Sequence, residues 1–125
     1  MSFEILPAIP VIRMFDVVQA RAFYLDFLGF EVDWEHRHTP DLPLYMQVSR
    51  SGCLLHLSEH HGDATPGGRN FIRVHGITEL HAELQSKGYA RQNPGLERMP
   101  WGLQVEVTDP FGNRLTFCEQ QSDAG

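Results

Sequence analysis

One order of segments occurs twice along this chain, and that repetition constrains the fold more than any single residue does. An apolar extended run at 8–14 is followed by Asp16, placed as a helix N-cap. Val17, Ala20, Phe23, Tyr24, Phe27 and Leu28 then recur at helical spacing, and Gly29 supplies the left-handed residue that ends the helix. Extended runs follow at 30–36, 44–49 and 53–58, the last two joined by a tight turn at Arg50-Ser51-Gly52. Beyond a stretch of His, Gly, Asp, Thr and Pro, a strand at 70–74 leads into a second helix capped by Thr78, with Ile77, Leu80 and Leu84 on one face and Gly88 at its end. A weakly marked strand at 90–93 and clear ones at 103–108 and 114–118 complete the second pass. The last two are joined by Asp109-Pro110-Phe111-Gly112-Asn113, where Pro110 fixes φ and Gly112 permits positive φ.

Each half presents an apolar sheet face that it cannot bury alone, so the halves must pair, within a chain or between chains. The expected fold is α+β, one domain over 1–125 built from duplicated βαβββ modules at 6–58 and 69–119, with a linker at 59–68 and a tail at 120–125. Paired, the modules give a curved eight-stranded mixed sheet around a cleft. A length of 125 residues suits one such domain. With 42% hydrophobic and 21% charged residues, disordered and collagen-like classes are excluded.

The formal net charge of -6 is spread along the chain, which argues against nucleic acid as a partner because phosphates demand clustered Lys and Arg. A cationic ligand fits the acidity, and so does plain solubility. No apolar run approaches the roughly 20 residues that span a bilayer, and Met1-Ser2-Phe3-Glu4 lacks the basic start of a signal peptide. No membrane association and a cytoplasmic location are therefore the default expectations. Cys53 and Cys118 lie far apart in apolar runs and are expected as buried free thiols.

No nucleophile elbow, phosphate-binding loop, dinucleotide fingerprint or Cys-x-x-Cys occurs. The seven histidines are poorly spaced for a metal: His60 and His61 are adjacent at the entry to the linker, and His36 and His38 fall at a strand end. His56, inside an apolar strand, reads equally as a core or a cleft histidine. Trp101 stands in Pro100-Trp101-Gly102 at a strand entrance, between a rim role and simple packing.

The run Phe23-Tyr24-Leu25-Asp26-Phe27-Leu28-Gly29-Phe30 together with Asp109-Pro110-Phe111-Gly112-Asn113 resembles the glyoxalase, bleomycin-resistance and dioxygenase (vicinal oxygen chelate) superfamily. Within it the chain looks most like the bleomycin-binding resistance proteins, through Ala8-Ile9-Pro10-Val11, Val74-His75-Gly76-Ile77 and Pro100-Trp101-Gly102. The superfamily resemblance implies metal ligands on the first and last strand of each module, positions that here carry Ile9, His56, Arg69 and Thr116. Divalent metals need imidazole, thiolate or carboxylate donors, so neither a protein-held metal nor another cofactor is expected.

The closer resemblance implies a non-catalytic protein that sequesters a bleomycin-type glycopeptide, conferring antibiotic resistance; any metal arrives already chelated by the drug. It implies a ligand-binding set of Trp34, Phe71, Trp101, Gly102, His56, Glu106 and Asp33, with aromatic rings stacking on a planar cationic ligand and Asp33, Glu35 and Glu106 supplying negative charge. It also implies a homodimer exchanging N-terminal strands at a hinge, Pro10, with clefts at the interface. Two further expectations stand beside it: a diverged glyoxalase-like lyase or dioxygenase using His56, and binding of an unrelated metabolite on the same fold.

Overall fold

The computed structural model describes residues 2–121. In chain order it contains β1 (Val11–Arg13), α1 (Val17–Arg21), β2 (Glu31–His36), β3 (Tyr45–Arg50), β4 (Cys53–Ser58), β5 (Arg69–Arg73), α2 (Ile77–Ser86), β6 (Glu97–Met99), β7 (Gly102–Thr108) and β8 (Arg114–Gln120). The strands form two four-stranded mixed sheets, ordered β1-β4-β3-β2 and β5-β8-β7-β6. In each, the first strand of the module lies parallel to the last and the remaining pairs are antiparallel. This is the α+β duplication read from the sequence. The expected tail at 120–125 lies outside the described residues from 122 onward, whereas Gln120 closes β8.

Period-two alternation decides which face of each sheet is buried. Met46, Val48, Leu55 and Leu57 of the first sheet and Val105, Val107, Leu115 and Phe117 of the second point inward, and they join Phe23, Tyr24, Phe27, Ile77 and Leu84 of the helical segments in one core. The modules therefore meet through their helix-covered faces. Phe27 stacks on Tyr89 with ring centroids 4.5 Å apart, and Arg50 makes a two-pronged ion pair with Glu83, each contact 2.7 Å. The hydroxyl of Tyr24 donates to Asp109 Oδ2 at 2.6 Å, and Asn113 Nδ2 donates to the carbonyl of Arg13 at 2.8 Å.

Four expectations are corrected, two of them by non-local partners. The strand expected at 8–14 narrows to Val11–Arg13 and begins only after Pro10, which has no N–H to donate and contributes only its carbonyl, which accepts from His56 N at 2.9 Å. The helix begun at Val17 runs on into a π-helical turn over Ala22–Phe27, seen in Leu28 N donating to Phe23 O. Gly76, at φ +87°, and not Thr78, starts α2, and the free N–H groups of Gly76 and Ile77 are taken by the Glu119 carboxylate from β8, both at 3.1 Å. The weak strand expected at 90–93 lies instead at Glu97–Met99. In its place the Gln92 side-chain amide makes both backbone bonds that a strand would make to Thr108, donating to its carbonyl and accepting from its N–H. Among the described residues no helix is long and apolar enough to cross a membrane.

Candidate functional site

Alternation that buries one face of each sheet turns the other outward. On the first sheet one cross-strand row runs Val11, His56, Gln47, Trp34. A register shift between Val32 and Trp34 interrupts the strict alternation of β2, and the side chains of both Asp33 and Trp34 reach the outward groups of β3. Asp33 accepts from Gln47 Nε2 at 3.0 Å and from Ser49 Oγ at 2.9 Å. Trp34 stacks on Tyr45 at a centroid distance of 6.0 Å and meets His56 edge-on at 5.4 Å.

The hydrogen bonds of this row have a direction. A carboxylate only accepts, so Asp33 fixes the Gln47 amide with its nitrogen toward the acid and Oε1 toward His56. His56 Nε2 lies 2.9 Å from that oxygen and must carry the proton, leaving Nδ1 to accept from the Tyr45 hydroxyl at 2.7 Å. Burial, with a smaller effect from the Asp63 charge, pushes the Tyr45 phenol up from its ordinary value of 10.0, so the donor keeps its proton at neutral pH. Both nitrogens of His56 are therefore engaged.

The corresponding row on the second sheet is Phe71, Thr116, Glu106. Phe71 is 47% exposed, close to Trp34 at 43% and Trp101 at 46%, so all three rings are available to a ligand. Trp101 Nε1 donates to Gln104 at 3.3 Å, which holds the indole over β7. Gly102 has a steric reason of its own: a Cβ there would lie 2.2 Å from the Glu119 carbonyl oxygen. Arg69 pairs with Glu106 at 3.0 Å and donates to Thr116 Oγ1 at 3.2 Å. Burial pushes the Glu106 carboxyl up, but hydrogen bonds from Thr116 and Arg69 and the charges of Arg69 and Arg114 outweigh it, leaving the group below its ordinary value.

The fold thus gathers Asp33, Trp34 and His56 on one face and Phe71, Trp101 and Glu106 on the other, and among the described residues no hydrogen bond, ion pair or ring contact links the two sets. Tyr45, Gln47 and Ser49 belong to the site and were missed. Their period-two spacing against apolar Leu44, Met46 and Val48 was the available cue. The expected acidity is corrected: Glu35 is bound to Arg21 of α1 and Glu106 to Arg69, so that among the described residues Asp33 alone of the invoked carboxylates has no cationic partner. A metal does not fit the family positions either, since Ile9 has no donor, His56 has both nitrogens in use and the Arg69 guanidinium fills the space beside Glu106 and Thr116. A cavity of about 680 Å³ opens elsewhere, along β5 where the modules meet, floored by Leu28, Phe30, Ile72 and Phe117, and none of the expected site residues lines it.

The sequence profile described as "Glyoxalase superfamily protein" matches residues 2–124. The fold is similar to that of a bleomycin-binding protein from bleomycin-producing Streptomyces verticillus, solved with copper(II)-bleomycin: the chains are 30% identical, with a TM-score of 0.70 over 96% of this chain and 100% of that one. It is also similar to an antibiotic-binding protein from a Streptomyces species, 22% identical with a TM-score of 0.73 over 96% of this chain and 100% of that one. A Sphaerobacter thermophilus member of the glyoxalase, bleomycin resistance and dioxygenase superfamily is 25% identical, with a TM-score of 0.67 over 93% of this chain and 98% of that one. Comparison with curated protein sequences finds no match.

Proposed function

The chain belongs to the glyoxalase superfamily, and from that premise we propose that it binds and sequesters a planar aromatic small molecule, a bleomycin-type glycopeptide being the first candidate, without making or breaking a bond. The observation that carries this reading is the Asp33–Gln47–His56–Tyr45 chain, which spends both nitrogens of the one imidazole at a family ligand position on hydrogen bonding while leaving the Trp34 ring open beside it. Flat rings at Trp34, Phe71 and Trp101 supply contact area at low entropic cost. The similarity to the Streptomyces verticillus protein adds to it.

In this reading the complete cleft pairs the first-sheet face of one copy with the second-sheet face of another. Support comes from the segment ahead of Pro10, which forms no strand and leaves Phe3, Ile5 and Leu6 at 86%, 83% and 69% exposure, apolar surface that a partner would cover. Any metal in the complex comes with the ligand.

The chain has two tryptophans, one on each face, so fluorescence reads both. Titration with copper-loaded bleomycin is expected to give saturable quenching at one ligand per chain, and Trp34→Ala or Trp101→Ala is expected to weaken it by roughly 2- to 10-fold, the scale of one stacking contact. No quenching up to millimolar drug sinks the bleomycin assignment.

A further inference from the structure

Positive charge gathers on one face of a chain whose net charge is -6. Arg69, Phe71 and Arg73 alternate along β5 and share the outward face of the second sheet, all three exposed. β8 sets Arg114 directly across from Arg69. Like charges opposite one another destabilise a sheet. A single nearby carboxylate, Glu106, answers both guanidinium groups, pairing with Arg69 and feeling the charge of Arg114. Among the described residues neither Arg73 nor Arg114 has an ion-pair partner.

The acids of the sheet itself stand to one side, while Arg73, at the strand end, also borders the cavity between the modules together with Glu79 and Glu83 of α2. In the order β5-β8-β7-β6, Glu106 lies on β7 and Glu97 on β6, so Glu97 is about 14 Å from the strand of Arg73 at ordinary strand spacing. Along β5 itself, the half-exposed Phe71 ring has a guanidinium-bearing residue about 6.6 Å away on either side. A flat apolar surface with an ion-paired guanidinium on one side and, at Arg73 and Arg114, two without an ion pair among the described residues suits one class of molecule.

We infer that this face takes a planar aromatic acid, an aryl carboxylate or aryl sulfonate, with its ring on Phe71 and its anionic group on Arg73 or Arg114. Guanidinium forks match such oxyanions in geometry and charge, and the alternating strand holds ring and fork at the spacing of a small aryl acid. The inference rests on the stacking reading above and names for this face a ligand charge opposite in sign to the cationic ligand that the family resemblance implies.

The test is calorimetric titration of the intact protein at low salt with naphthoate, naphthylmethylammonium and uncharged naphthylmethanol. Naphthoate is expected to bind about tenfold more tightly than the other two, the scale of one charge-assisted hydrogen bond, with the advantage shrinking as salt rises. Arg73→Gln or Arg114→Gln is expected to remove that advantage while leaving naphthylmethanol binding unchanged, whereas Phe71→Leu is expected to weaken all three probes. Equal or tighter binding of the cation, or an undiminished preference for naphthoate in both arginine variants, overturns the inference and leaves stacking intact. Binding of none of the three overturns the inference and the stacking reading together.

Discussion

Replacing Tyr24 with phenylalanine removes one oxygen atom and with it a bond between the two modules. Tyr24 is fully buried and Asp109 is 4% exposed, and their 2.6 Å hydrogen bond joins the helical segment of the first half to the final hairpin of the second. Asp109 keeps three other donors in the variant: the N–H groups of Phe111 and Asn113 and the Asn113 side chain. The loss therefore falls in the lower part of the range for a hydrogen bond to a charged group, about 1.5–2 kcal/mol. For 125 residues at about 2.1 cal/mol/K per residue, that lowers Tm by about 6–8 °C. Circular dichroism melts measure it, with Tyr89→Phe as the control, because the Tyr89 hydroxyl has no hydrogen bond among the described residues. Burial, then the Asp109 charge and hydrogen bond, push the Tyr24 phenol well above 10.0. Its contribution is fully present below that ordinary value and is lost as pH rises through the raised one, so the gap between variant and parent narrows only in strong alkali. A Tyr24→Phe melt within about 2 °C of the parent refutes the tie.

Three further outcomes are expected. Gly102→Ala meets the Glu119 carbonyl, a backbone atom that cannot swing aside, and should cost at least about 2 kcal/mol in urea denaturation; an unchanged midpoint contradicts the close approach. Hydrogen bonding from Arg50 lowers the Glu83 carboxyl below its ordinary 4.5, against the effect of burial, so this pair contributes stability above that pH and loses it as the medium acidifies through the lowered value. With both side chains about a third exposed, Glu83→Gln should cost less than about 1 kcal/mol at neutral pH and nothing in strong acid, read from denaturation midpoints across pH. Cys118 is fully buried, whereas Cys53, expected to be buried too, is half-buried at the cavity between the modules with its thiol pushed up by burial, so a thiol reagent at neutral pH should label Cys53 slowly and Cys118 only once denaturant is added; rapid labelling of Cys118 in the native protein would contradict its placement.

What the sequence made legible is what neighbouring residues decide. The strand at 53–58 matches to the residue, and the Asp109-Pro110-Phe111-Gly112-Asn113 turn sits where proline and glycine require it. Two of the errors share a cause, a partner distant in sequence. Glu119 caps a helix 42 residues upstream, and Gln92 stands in for a strand with its side chain, 16 residues from Thr108. The site divides in the same way. Alternation and aromatic type point to Trp34, His56 and Phe71, but whether Glu35 or Glu106 is free to meet a ligand depends on Arg21 and Arg69, which only the folded chain brings near. The two motifs that carry the family resemblance meet in space as well, since Tyr24 belongs to one and Asp109 and Asn113 to the other.

The orientation of the polar row on the first sheet sets what an approaching molecule would encounter. With Asp33 turning the Gln47 amide, and that amide setting the imidazole proton, Tyr45 has already committed its only hydrogen inward. The phenolic oxygen consequently faces outward as lone pairs alone. Beside Trp34, a guest bearing N–H or O–H groups finds a waiting receptor, whereas one bearing a carbonyl there meets electron density and gains nothing.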